Sequence, residues 1–105
     1  MGDLEKQFDQ AMLTIYRRAK SEAKYTASIF FNMLNERGGL PTAKYLINSN
    51  TPSEGYTRLY ELGRLDLTVE AVVVEEPRWH SLFTTEELAK ARKRLADYGY
   101  KAKAS

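Results

Sequence analysis

The chain has 105 residues, 43% of them hydrophobic, which is enough for one globular domain with its own core. It contains no cysteine, so disulfides and thiolate metal sites are excluded. The net charge of +2 is too small to indicate nucleic-acid binding by itself. The longest apolar run, residues 71–74, is far too short to span a membrane. We therefore expect a cytoplasmic protein without a membrane segment.

The first third of the chain predicts two amphipathic helices. Apolar residues recur every three or four positions over residues 4–36, with Asp3 as a candidate N-cap. One helix of about thirty residues would be ~45 Å long, which is long for a small domain. We therefore place a break at positions 24–25, with Thr26 capping a second helix that ends at Gly38. The two helices should pack as a hairpin that buries Phe8, Met12, Phe30 and Leu34.

The segment 37–66 is rich in glycine and turn-forming residues and predicts a helix-turn-helix-like centre. A proline at the start suits a helix over 41–47, and the composition of 48–52 indicates a turn. Ser53 is the expected N-cap of the next helix, which should stop at Gly63. The predicted inner face of that helix consists of Tyr56, Leu59, Tyr60 and Leu62.

The segment 65–76 has the features of both a strand and a helix. Its leucines and valines alternate with polar residues, as in a strand. However, Leu67, Ala71 and Val74 share one helical face, and Asp66 precedes them as a candidate N-cap. A single strand would have no partner within the monomer, so we predict a helix. The alternative left open is a strand that pairs between the subunits of a homodimer.

The last third of the chain predicts an apolar connector and a final helix. The connector after Pro77 is expected to place three apolar side chains in the core: those of Trp79, Leu82 and Phe83. Thr84 and Glu87 form a capping box for a helix over 85–98, which Gly99 ends. The inward residues of that helix should be Leu88, Ala91 and Leu95.

The predicted fold is thus all-α, a compact single-domain bundle of about five or six helices. This domain should cover residues 1–99, followed by a disordered tail over residues 100–105.

Three stretches carry a resemblance to a known family: IYRRAK, NERGGLPTAKYLI and PSEGYTRLYELGRLDLTVEAVVVEEPRWHSLFTTEELAKARKRL. Over roughly residues 8–95 the chain resembles a small bacterial family that occurs alone or in association with restriction-type HNH nuclease proteins. The resemblance implies an all-α fold and a genome-defence or mobile-element setting. It provides no catalytic residue that could be assigned to this chain.

The sequence contains no complete catalytic or metal-binding constellation. His80 is the only histidine, which leaves few metal ligands and a single candidate base. The nearest approach to a nuclease site is the pair Asp66 and Glu70, or the triplet of Glu22, Ala23 and Lys24. We therefore expect no enzymatic activity, no metal and no cofactor.

The leading interpretation is a small accessory or regulatory module that binds a macromolecular partner, protein or nucleic acid. Tyrosine and arginine are enriched at protein interfaces, and the candidate interface residues are Tyr25, Tyr45, Tyr56 and Tyr60. One alternative is a helix-turn-helix-like protein that binds DNA or RNA through Arg17, Arg18, Lys44, Arg58 and Arg64. Another is capture of a small nucleotide by tyrosine stacking and arginine–phosphate pairing.

Overall fold

A computed structural model of the protein describes residues 3–101. Over this range the chain is helical without strands, which confirms the predicted all-α class. The α-helices are α1 Asp3–Glu22, α2 Ser28–Arg37, α3 Gly39–Asn48, α4 Glu54–Glu61, α5 Val69–Glu75 and α6 Thr85–Asp97. Two 3₁₀ turns cover Leu65–Leu67 and Pro77–Leu82. None of the helices in residues 3–101 has the length and hydropathy needed to cross a bilayer.

The predicted break between α1 and α2 is confirmed. Lys24 has φ of 57°, a left-handed conformation in which an α-helix cannot continue. The two predicted caps are wrong. Asp3 lies within the first turn of α1, and α2 has Ala27 at its N-cap position without any side-chain bond, so Thr26 is not the cap.

Gly38 and Gly39 allow α2 and α3 to follow each other directly. Gly38 has φ of 85°, which favours glycine, and ends α2 as predicted. Helix α3 then begins at Gly39, earlier than the predicted 41–47. The backbone N–H of Gly39 donates to Asp9 Oδ1 on α1 at 2.8 Å. A Cβ on Gly39 would lie 2.5 Å from that oxygen, so glycine is needed for this close approach.

The α4 helix begins where predicted, but its buried face is narrower. Ser53 Oγ accepts a hydrogen bond from the Tyr56 N–H at 3.1 Å. Tyr56 and Leu59 are buried, whereas Tyr60 and Leu62 are 47% and 37% exposed. The prediction that Tyr60 and Leu62 belong to the inner face is therefore wrong.

Helices α3 and α4 do not pack as a pair. Helix α3 contacts α1, α2, α5 and α6, whereas α4 mainly contacts the 3₁₀ turn Leu65–Leu67. The order helix, turn, helix is as predicted, but the two helices are spread apart. The opening between them forms part of the groove described below.

The segment 65–76 is helical, so the alternative of an intersubunit strand is wrong for these residues. Its N-cap is Thr68, whose Oγ1 accepts from the Ala71 N–H at 3.2 Å. Asp66 is not the cap, because its carboxylate is bound by the Arg64 guanidinium at 3.0 Å.

The connector after Pro77 contributes to the core as predicted. Trp79 is 1% exposed and packs edge-on against Phe8, with ring centroids 5.3 Å apart. Phe83 packs edge-on against the Phe8 ring, with ring centroids 5.6 Å apart.

The predicted hairpin of α1 and α2 is confirmed, with Phe8, Met12 and Leu34 buried and Phe30 half-buried.

The predicted capping box of α6 is confirmed. Thr84 Oγ1 accepts from the Glu87 N–H at 3.0 Å, and Glu87 Oε1 accepts from the Thr84 N–H at 2.9 Å.

Tyr100, which the sequence assigns to the tail, donates to Glu75 Oε2 at 2.6 Å and packs against the core. Residues 102–105 of the predicted tail lie outside the described residues.

Candidate functional site

An open groove of about 560 Å³ lies between α1, α2, α3 and α4. Its volume falls within the range of roughly 300–1,000 Å³ that is typical of ligand pockets. The groove is also lined by the loop over residues 49–53 and by residues 67–70 at the start of α5. It is therefore built from segments that lie far apart in the sequence.

The groove carries exposed apolar surface because α2 has more apolar residues than one helical face can bury. Ile29, Phe30 and Phe31 are consecutive, and an α-helix points consecutive side chains in different directions. Phe31 turns towards α1 and stacks on Tyr16, with ring centroids 4.7 Å apart. Phe30 is half-buried, and Ile29 remains 67% exposed at the groove.

Tyr45 of α3 adds a second exposed apolar side chain to the groove. It is 57% exposed, and the Arg37 guanidinium lies over its ring at 5.2 Å. Within residues 3–101 the large hydrophobic side chains with the greatest exposure are Ile29, Tyr45, Tyr60 and Leu62. The two most exposed of these four, Ile29 and Tyr45, line the groove.

The end of the groove at α4 carries an acidic group. Glu54 is the exposed first residue of α4 and has no hydrogen bond or ion pair among the residues that the structure describes. The Tyr25 hydroxyl lies beside Gly55, 3.6 Å from the position of a Cβ on that glycine. Burial raises the pKa of Tyr25 and the charge of Glu54 raises it further, whereas the charge of Arg58 opposes both. The Tyr25 hydroxyl therefore lies within reach of the charges of both Glu54 and Arg58.

A buried ion pair holds several of the residues that line the groove in place. Glu70, which lines the groove, is 3% exposed, and Arg94 Nη1 of α6 donates to its Oε2 at 2.8 Å. Arg94 also donates to the backbone carbonyls of Leu46 and Ser49, at 3.0 and 2.5 Å. Burial raises the pKa of Glu70, against the opposing effect of the Arg94 charge. One guanidinium thus ties α6 to α5 and to the end of α3.

Two of the predicted phosphate-binding cations, Arg18 and Arg64, are held in a network of ion pairs. Arg64 Nη2 donates to Glu22 Oε1 at 2.7 Å, and Arg18 Nε donates to Glu22 Oε2 at 2.8 Å. These hydrogen bonds, from Arg18 first and then Arg64, lower the pKa of Glu22 to about 2. Because Arg64 also binds Asp66, the network joins the end of α1 to the loop before α5.

The other predicted cations, Lys44, Arg58 and Arg17, differ in their surroundings. Lys44 Nζ donates to Glu87 Oε1 at 2.7 Å, and Arg58 Nη1 donates to Glu61 Oε1 at 3.3 Å. Arg17 is exposed, without a hydrogen bond or ion pair in the described part of the chain. Four of the five candidate cations thus already bind carboxylates of this protein.

The structure places the four candidate interface tyrosines in different environments. Tyr25 and Tyr45 line the groove at its surface. Tyr56 also lines the groove, but it is only 2% exposed, and its hydroxyl donates to the Arg94 carbonyl at 3.2 Å. Tyr60 lies outside the groove lining and packs edge-on against Tyr98 at 5.0 Å.

The carboxylates considered for a metal site are engaged by arginines. Asp66 is bound by Arg64 and Glu70 by Arg94. Across residues 3–101, histidine and acidic side chains do not come together in groups of three or more that could hold a metal ion. His80 is half-buried, with Nε2 3.2 Å from the Val74 carbonyl oxygen.

Sequence reasoning missed several groove residues that the fold brings together. Ile29 and Met33 of α2, Leu46 of α3 and Glu54 of α4 were not among the candidates, yet all line the groove. The run of consecutive apolar residues at the start of α2 was the available signal, because its apolar surface exceeds one buried helical face. Nothing local to Glu54 distinguishes it from an ordinary first-turn carboxylate.

Comparison of the chain with protein-family models, with curated proteins and with solved structures finds no match. The resemblance to the small bacterial family therefore stays a prediction. The function proposed below rests on the geometry and chemistry of the groove.

Proposed function

We propose that this protein is a small accessory module that binds a partner protein through the groove. The observation that carries the proposal is the exposure of Ile29 and Tyr45, at 67% and 57%, on one concave surface. Fully burying an aliphatic or aromatic side chain of this size is worth about 1.5–3 kcal/mol. The setting, bacterial defence or a mobile element, is taken from the family resemblance and belongs to the proposal.

The ion pairs favour a protein partner over nucleic acid. A phosphate that bound Arg18, Lys44 or Arg64 would have to displace a carboxylate at 2.7–2.8 Å from its nitrogen. That exchange recovers little free energy, because one anion replaces another. Of the five candidate residues, Arg17 alone does not face such a competitor in the described range, and one candidate cation makes only a weak site for a polyanion.

The protein acts in this proposal by binding rather than by catalysis. The two carboxylates nearest to a nuclease pattern, Asp66 and Glu70, are each hydrogen-bonded to an arginine. The Glu70 contact links α5 to α6, and Asp66 shares Arg64 with Glu22 at the end of α1, so both carboxylates have a structural use.

A selection experiment tests the proposal. A phage-displayed library of random peptides is selected on the wild-type protein, and the enriched peptides are then titrated against Ile29→Asp. Placing a charge in the apolar groove should weaken them by at least about tenfold. The matched control is Asn35→Asp, which adds the same charge to an exposed position on α2 outside the groove and should leave binding unchanged.

Titrations with duplex and single-stranded DNA at low and high salt test the competing interpretation. Phosphate contacts release counterions, so affinity for nucleic acid falls steeply as salt is added. DNA binding that shows this slope, weakens in Arg17→Glu or Arg58→Glu and is unaffected by Ile29→Asp would overturn the proposal. We expect little DNA binding at physiological salt.

A further inference from the structure

The geometry points to an amphipathic helix that carries a lysine or arginine as the occupant of the groove. The apolar face of this helix lies against α2 and α3, and its basic side chain reaches Glu54 at the start of α4. This inference rests on the proposed function and specifies the partner's chemistry.

The charges along the groove are the first argument. The chain has 16 lysines and arginines and a net charge of +2. In the described part of the chain, none of these cations lines the groove, whose charged lining residues are Glu54 and Glu70. Glu70 is paired with Arg94, which leaves Glu54 as the unpaired charge among the lining residues of the described range, while Arg37, over the Tyr45 ring, and Arg58 lie outside the lining. Charge complementarity therefore selects a cationic group on the partner.

The surroundings of Glu54 keep it available for such a contact. It lies in the first turn of α4 and is exposed to solvent. Arg58, one turn further along the same helix, binds Glu61 instead. The ring of Tyr25 lies beside this end of the groove, and an aromatic face attracts a cation as well as apolar groups.

The apolar lining favours a helix as the shape of the partner segment. A partner strand would need an exposed sheet edge, and residues 3–101 contain no strand to supply one. Proline-rich segments dock on surfaces dominated by aromatic rings, whereas aliphatic side chains outnumber aromatic ones in this groove. A broad aliphatic groove between helices is the surface that receives the i, i+3, i+4 and i+7 side chains of an amphipathic helix.

The test repeats the random-peptide selection on wild type, on Glu54→Lys and on Glu36→Lys. Glu36 is an exposed carboxylate on α2 outside the groove, without an ion pair in the described range, so its variant has the same change of charge. We expect wild type and Glu36→Lys to enrich helical apolar patterns with a lysine or arginine. Glu54→Lys should enrich the same apolar pattern with aspartate or glutamate instead.

A second measurement uses one enriched peptide and the same peptide with its basic residue replaced by glutamine. Glu54→Gln should weaken the parent peptide about two- to fivefold, as expected for a rim ion pair. The glutamine peptide should bind wild type and Glu54→Gln equally. Ile29→Asp should weaken both peptides.

The outcomes separate this inference from the function on which it rests. Peptides that depend on Ile29 but keep the same charge preference on Glu54→Lys would overturn the inference and leave the proposed function standing. Enrichment of proline-rich sequences would overturn the helical occupant in the same way. Failure to enrich any peptide that is sensitive to Ile29→Asp would overturn both.

Discussion

Arg94 and Glu70 form a buried ion pair at 2.8 Å, with side chains that are only 11% and 4% exposed. The same guanidinium binds the carbonyls of Leu46 and Ser49, so it meets acceptors from α5, from α3 and from the residue after α3. A cation is favourable at the C-terminal end of a helix, where backbone carbonyls are left without partners. This arrangement supports the groove wall, because Leu46, Ser49 and Glu70 all line it.

Replacing Arg94 alone should therefore be strongly destabilising. Arg94→Leu leaves the Glu70 carboxylate buried without its partner, which typically costs about 3–5 kcal/mol. The free energy of unfolding, measured in urea at neutral pH, gives this cost directly. Arg92→Leu, on the exposed face of α6, is the control and should change stability by less than about 0.5 kcal/mol.

The double variant Glu70→Leu/Arg94→Leu distinguishes an unpaired charge from lost packing. Removing both charged groups removes the desolvation cost, so the double variant should be more stable than Arg94→Leu alone. Equal stability of Arg94→Leu and Arg92→Leu would show that the pair does not hold the helices together.

Glu87 should make stability fall in acid. Burial opposes its ionisation, but hydrogen bonds from Lys44, the Thr84 N–H and Asn48 outweigh that effect and lower its pKa to about 2. Because this pKa lies below the ordinary value of 4.5, the ionised carboxylate stabilises the fold above pH 4.5. That contribution is lost as the pH falls from 4.5 towards 2.

Unfolding experiments over this pH range check the expectation. Glu87→Gln should be less stable than wild type at neutral pH, and the difference should shrink as the pH approaches 2. Glu86→Gln, an exposed neighbour in the same turn of α6, should follow the wild-type pH dependence. A constant difference between Glu87→Gln and wild type across the range would contradict the assignment.

Local chemistry predicted the helices well, because their start and stop signals lie within a few residues of each other. Ser53 and Thr84 cap α4 and α6 as expected, since each hydroxyl meets an N–H three residues ahead. The predicted cap of α5 failed because a competing bond was available. Asp66 binds Arg64, and Thr68 performs the capping instead.

The groove and its ion pairs could not be predicted in the same way, because they depend on contacts between distant residues. Arg64 and Glu22 are 42 positions apart, so neither position indicated that the other would neutralise it. The burial of Tyr56 also depends on contacts with distant residues. The sequence places it on one helix face with Tyr60, but only the packing of α6 decides that Tyr56 is buried and Tyr60 exposed.

The close approach of α1 and α3 predicts a specific coupling between Gly39 and Asp9. In Gly39→Ala the new Cβ would lie 2.5 Å from Asp9 Oδ1 and 3.1 Å from Asp9 Cα. Crowding of this kind costs about 1–3 kcal/mol. In an Asp9→Ala background the carboxylate is absent, so Gly39→Ala should cost less, although the contact with the Asp9 backbone remains.

A double-mutant cycle of unfolding free energies measures this coupling. The sum of the single-variant costs should exceed the cost of the double variant by more than about 0.5 kcal/mol. Additive costs would indicate that α3 moves away from α1 without difficulty. Gly63→Ala is a useful comparison, because its strain would come from φ of 72° and not from a neighbouring atom.

Replacing Arg64 should lower the stability of the fold, whereas replacing Arg17 should not. Arg64 binds both Glu22 and Asp66, so Arg64→Ala should lower the urea midpoint of unfolding, most clearly at low salt. Arg17 has no such partner in the described range, so Arg17→Ala should unfold at the wild-type midpoint. Added salt should bring the two variants closer together, since partly exposed ion pairs are screened. If Arg64→Ala instead matched Arg17→Ala at every salt concentration, its ion pairs would contribute nothing to folding, and Arg64 would again be a credible phosphate-binding residue.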